Sequence, residues 1–113
     1  MKISYEGIGQ WAATFACAGA AEGQVVKISG SGEVAPCVAG DPFCGVVLSV
    51  SRDGEACSVV LGGMVTVSYT GSAPALSWTG LAGDGAGGVK AAAGRDCLVV
   101  DVDENGKTVT VKL

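Results

Sequence analysis

The sequence predicts an all-β fold, a small β-barrel or sandwich of about 9–10 short strands with little helix. Three observations carry that expectation. Apolar residues alternate with a period of two through most of the chain, which is the signature of strands with one face on a core. Short clusters of Gly, Ser, Asn and Asp interrupt the alternation at regular intervals, where hairpins need them. No segment keeps a 3.6-residue period over three turns.

Taken in order, Trp11–Cys17 places Trp11, Ala13, Phe15 and Cys17 on one face. Runs 24–28 and 33–37 flank Ser29-Gly-Ser-Gly32 and read as a hairpin. In the run 44–50, Val46, Leu48 and Val50 share a face, and the turn Ser51-Arg-Asp-Gly54 leads to a run in which Cys57, Val59 and Leu61 do. Gly62-Gly63 marks a corner. After it Val65, Val67 and Tyr69 oppose Thr66, Ser68 and Thr70. Segments 71–74 and 80–88 read as loops, and Val89-Lys90 as the start of another strand. Leu98, Val100 and Val102 share a face opposite Asp101 and Asp103. Asn105-Gly106 offers cheap positive φ for a turn before the alternating run 108–113. The Ala-rich pieces 16–22 and 91–93 have room for one helical turn each, and a short helix after the first strand completes the expected helix content.

Size and charge narrow the function classes. With 113 residues the chain suits one domain. The expected organisation is an N-terminal strand or arm over 1–22 and a β-barrel-like domain over 23–113. Acids outnumber bases 11 to 7, for a formal charge of −4. Seven scattered cations make a poor nucleic-acid face, so no direct nucleic-acid partner is expected. No apolar run approaches the roughly 18–20 residues that cross a bilayer, and the start lacks the apolar stretch of a secretory signal. The expected setting is therefore the cytoplasm, with no membrane partner.

The absence of histidine removes the commonest general base and zinc ligand. Cys17, Cys37, Cys44, Cys57 and Cys97 contain no Cys-x-x-Cys pair and read as reduced thiols that fill small apolar spaces. The loop 83–88 is the densest in glycine. It lacks the Gly-Lys-Ser/Thr ending of a phosphate loop and reads as a structural turn, with Asp84 too isolated for a calcium site. Asp101, Asp103 and Glu104 sit beside the Asn-Gly turn and read as a solvated hairpin end. No catalytic residue, cofactor or metal is expected. Among only six aromatic side chains, Trp11, Tyr69 and Trp78 are the large ones available for partner contact. Trp11 and Tyr69 read first as core, whereas Trp78, between Ser77 and Thr79, suits either role.

The run Gly23-Gln-Val-Val-Lys27, then Val34-Ala-Pro-Cys37 and Phe43-Cys-Gly-Val-Val47, resembles the small β-rich decoration, or cement, proteins of tailed-bacteriophage and prophage capsids. The likeness continues through Gly62, Val65-Thr-Val67, Gly71, Gly83-Asp-Gly85, Gly88-Val89, Leu98-Val-Val-Asp101 and 109–113. It implies a β-barrel-like domain, commonly a homotrimer, seated on the virion surface. There it clamps the major capsid protein shell against internal DNA pressure, without catalysis. Before assembly such a protein resides in the bacterial cytoplasm. A second reading is a small ligand- or carbohydrate-binding β-domain, which needs an exposed aromatic platform from the same three rings.

Overall fold

A computed structural model describes residues 10–113, which form ten strands and no helix. These are β1 (Trp11–Cys17), β2 (Val25–Gly30), β3 (Glu33–Pro36), β4 (Gly45–Val50), β5 (Ala56–Gly62), β6 (Met64–Ser68), β7 (Ser77–Gly83), β8 (Val89–Ala91), β9 (Arg95–Asp103) and β10 (Thr108–Lys112). The fold is the all-β barrel-or-sandwich class that the alternation predicts. The first five strands close a barrel in the order β1-β3-β2-β4-β5, and the rest form a second sheet in the order β6-β10-β9-β7-β8. Residues 1–9 of the expected arm lie outside the described residues. Residues 11–17 form β1, which pairs antiparallel with β5 along its length and parallel with β3 at Ala16 and Cys17.

Two apolar clusters follow from this arrangement. Cys17, Val26, Val34, Val47, Cys57 and Val59 fill the barrel. Val25, Val46 and Val60 instead meet Val65, Val67, Leu81, Val89, Val99, Val109 and Val111 of the second sheet. Adjacent strand residues such as Val46 and Val47, or Val59 and Val60, therefore face different clusters. Both faces of β4 and β5 are used, which suits their uninterrupted valine pairs.

Several expectations shift. Leu48 does not share a face with Val46: β4 bulges between Val47 and Ser49, and Leu48 is 47% exposed. The expected row Leu98, Val100 and Val102 is broken in the same way. Val99 and Asp101 oppose Val111 and Thr110, so Val100 is the extra residue. Cys97 and Val99 then face the core, Leu98 faces out, and Val102 packs inward again. A bulge shifts the alternation by one residue, and a run apolar in both phases does not reveal it. At the last hairpin the positive φ falls on Lys107 (56°), not on Asn105 or Gly106. Asp103 Oδ1 accepts from both the Asn105 and Gly106 N–H groups at 3.1 Å, which winds the turn and leaves Lys107 to reverse it.

No helix forms at 16–22 or 91–93 either. Gly19 and Gly23 take left-handed φ, and the Gly23 N–H donates to Val47 O of neighbouring β4 at 2.8 Å. Ala92 N likewise donates to Gly80 O. Strand pairing has taken the backbone donors a helical turn needs.

The loop after β3 is held by one ion pair. Lys27 Nζ donates to Asp41 Oδ2 at 2.6 Å, and that oxygen also accepts from Val38 N at 3.0 Å. These bonds hold the Asp41 carboxyl below its usual range and push the Lys27 ammonium above 10.5. Asp41 therefore stabilises the fold fully above its unfolded pKa of about 3.9, and this is lost as pH falls through the lower folded value. Lys27 contributes fully below its unfolded pKa, and this is lost as pH rises past the raised value. The difference in urea midpoint between wild type and Asp41→Asn should thus be flat between about pH 5 and pH 10 and shrink at both extremes.

Candidate functional site

The register of the second sheet assembles a row that sequence order hides. Met64 lies opposite Lys112, Lys112 opposite Leu98, and Leu98 opposite Trp78. Their neighbours Val65, Val111 and Val99 are buried, so the pleat turns this row outward. Trp78 is 65% exposed and Leu76 64%. Between them Ser77 holds φ of 78°, an unusual value for a residue with a Cβ, and the Thr79 hydroxyl donates to Ala75 O at 2.8 Å. The chain thus enters β7 through a constrained bend that presents both apolar side chains.

Trp11 stands at the start of β1 opposite Gly62, whose missing side chain leaves room beside the Trp11 Cβ. It is 79% exposed, because β3 pairs with β1 only from Ala16 onward. Gln10 Nε2 donates to Met64 O at 2.9 Å and ties this end of β1 to the start of β6. Beside it runs an open groove of about 330 Å³, lined by Gln10, Glu22, Leu48, Met64, Thr66 and Thr110 among others. A second groove, of about 480 Å³, lies along Leu76, Val100, Asp101, Asp103 and Glu104.

The turn carboxylates are engaged locally. Asp84 Oδ1 accepts from Ala86 N and Gly88 N, and its Oδ2 from the Thr70 hydroxyl, so the glycine-rich loop is wound around its own aspartate. Asp53 does the same with Ser51 Oγ and Glu55 N, which holds its carboxyl below the ordinary range. No group of three or more His, Cys, Asp or Glu that could hold a metal occurs among the described residues.

All five cysteines are free thiols, four of them buried and Cys44 half-buried. Burial pushes Cys37 and Cys57 up to about 11 and raises Cys44 and Cys97 as well. A nucleophilic cysteine needs the opposite environment. Cys37, Cys44, Cys57 and Cys97 of the native protein should therefore react slowly with iodoacetamide at about pH 8 and reach full modification only in denaturant. Rapid native labelling of any of these four thiols would contradict this.

Of the three rings considered for partner contact, the structure exposes Trp11 and Trp78 and buries Tyr69, at 3%. Tyr69 fails as a contact residue because it continues the inward face of Val65 and Val67 and bridges to Val89. Its ring is covered by the Lys107 ammonium, 5.1 Å from the centroid. Trp11, read first as core, is outside because its strand outruns its second neighbour. Sequence reading passed over Leu76, whose one signal is its place just after the loop containing Pro74. Trp11 and Trp78 belong to different sheets, and both stand free of the core. No protein-family model matches the chain, and no match was found among curated proteins.

Proposed function

We propose that this chain is a non-enzymatic structural protein of the phage head decoration type. It associates with copies of itself, as a trimer, and binds the outside of a major capsid protein shell. Its place is the virion surface after assembly and the bacterial cytoplasm before it. The observation that carries the reading is the exposure of both tryptophans in a chain with only six aromatic residues. Adjoining exposed apolar side chains, as Leu76 and Trp78 are at the entry to β7, mark interaction surfaces, and tryptophan is enriched where binding energy concentrates. A core built mostly of valine and cysteine yields less per side chain than one of Leu and Phe, so association adds burial the monomer lacks.

The open edge of β1 over Trp11–Phe15 supports a second kind of contact. Among the described residues only β5 pairs there, and the free side presents main-chain groups that a strand of a partner can complete.

Sedimentation or light scattering tests the first step, and co-sedimentation with expanded phage heads the second. Trp78→Ala should weaken self-association by about 30-fold, or about 2 kcal/mol, while changing the stability of dilute protein by less than about 0.5 kcal/mol. A monomer at all concentrations that ignores phage shells would sink the proposal. If that monomer bound a sugar, and Trp11→Ala or Trp78→Ala abolished the binding, the two exposed rings would instead be a carbohydrate platform.

A further inference from the structure

The five thiols are not equivalent in position. Cys37 and Cys97 belong to the cluster between the sheets, whereas Cys17 and Cys57 pack together inside the barrel. In the β1–β5 ladder Phe15 lies opposite Cys57, and Cys17 N donates to Glu55 O at 3.0 Å. Cys17 is two residues beyond Phe15, so Cys17 and Cys57 share a face and stand diagonally across neighbouring strands. Diagonal pairs are separated by roughly 7–8 Å between Cα atoms, just beyond the roughly 4.4–6.8 Å that a disulfide spans. Closing that gap requires the end of β1 or the turn before β5 to shift. Cys17 is the last residue of β1, and its opposite neighbour Glu55 belongs to the turn before β5, where Gly54 already takes left-handed φ. The Cys17 thiol lies 3.9 Å from Gly54 O, directed at that turn. Burial, and after it the neighbouring Cys17 thiol, hold Cys57 protonated.

We propose that Cys17 and Cys57 form an intrachain disulfide when the folded protein meets a low-molecular-weight disulfide oxidant, so that the barrel is covalently locked at the end where β1 meets β3. With oxidised glutathione, the Cys17 thiol loses its proton and its sulfur attacks one glutathione sulfur. The other glutathione leaves as a thiolate and takes up that proton. Cys57 sulfur then attacks Cys17 sulfur in the mixed disulfide, and the second glutathione leaves with the Cys57 proton. Two protein thiols are oxidised, and one glutathione disulfide is reduced to two thiols. Cys17 reacts first because it is at the strand end and less deeply buried, at 7% against 2%. The bond closes the chain from 17 to 57, a constraint on the unfolded state that favours the folded one.

The test incubates the purified full chain, folded, with oxidised glutathione and counts thiols afterwards in denaturant. The expected result is the loss of two of the five thiols with no retained glutathione. Peptide mapping should join the Cys17 and Cys57 peptides, and the thermal midpoint should rise and return on adding reductant. Cys97→Ser should behave as wild type, while Cys57→Ser should lose the internal bond and retain glutathione on Cys17. Five intact thiols, a bond to Cys44 or Cys37, or a stable glutathione adduct on wild type would overturn the proposal. The map of the wild-type protein decides the matter even if Cys57→Ser does not fold.

Discussion

Gly45→Ala should destabilise the fold severely. Gly45 opens β4 and pairs with Val26 across the barrel wall. A methyl group there would overlap the Val60 carbonyl oxygen and come within 2.7 Å of Val59 Cγ1. Neither neighbour can give way: Val59 fills the barrel, Val60 faces the second sheet, and both are essentially inaccessible. Separating the strands to admit one carbon would disturb both clusters at once. The expected cost is roughly 3–5 kcal/mol, a large part of the roughly 5–15 kcal/mol typical of a domain. Gly54→Ala is the contrast. That glycine has φ of 75° and open space around it, so the cost is only the left-handed penalty of about 1 kcal/mol. Urea titration followed by circular dichroism separates the two. A Gly45→Ala midpoint near that of Gly54→Ala would show that the barrel wall yields more than its packing implies.

Arg95→Met should be the most damaging change to a charged residue. Arg95 begins β9 in the second sheet, yet its Nη1 donates to Cys44 O at 2.6 Å and its Nη2 to Leu61 O at 3.4 Å. Its guanidinium also lies 5.7 Å from the centroid of the Phe43 ring, which is buried against the core. One side chain thus satisfies carbonyls at the start of β4 and near the end of β5 and fastens the second sheet to the barrel. Methionine keeps the apolar stem and removes all three interactions. Carbonyls at a half-buried seam then lose charged donors, for an expected loss of about 2–4 kcal/mol. The thermal midpoint should fall by on the order of 10 °C. Arg95→Lys should recover only part, because an ammonium cannot present the planar fork that reaches two carbonyls and stacks on a ring. Full recovery by lysine would show that charge alone matters there.

The candidate surface was only partly legible beforehand. Trp78 lies in a polar, glycine-bearing stretch, and that setting left its exposure open. Trp11 and Tyr69 each sit in clean alternation with apolar partners, so both read as core, yet they end on opposite sides. Tyr69 continues into a bridge with Val89, while Trp11 begins a strand whose second partner arrives only at Ala16. Alternation tells which residues share a face and says nothing about whether a neighbour covers that face. Arg95 carried no sequence signal, because the carbonyls it serves are 51 and 34 residues away.

Local residue patterns fixed the strand class and much of the punctuation, although β7 runs through residues 80–83 of the expected loop. Ser51–Gly54 falls between strands, and Ser29–Gly32, Gly62-Gly63 and Asp103–Gly106 begin at a strand end and carry the chain out of it, since a turn is decided by the backbone freedom and short-range hydrogen bonds of four or five adjacent residues. These patterns also determined the inward faces of β6 and β10, where Val65 and Val67, and Val109 and Val111, alternate with hydroxyl or charged residues. Long-range pairing set the closure of β1 onto both β3 and β5, the bulges at Leu48 and Val100, and the exposure of both tryptophans. All three depend on strand partners distant in the chain, and the bulges show why. In Val46-Val-Leu48 and Leu98-Val-Val100 both phases are apolar, so transfer free energy is nearly the same for either face, and the choice passes to strand partners distant in the chain.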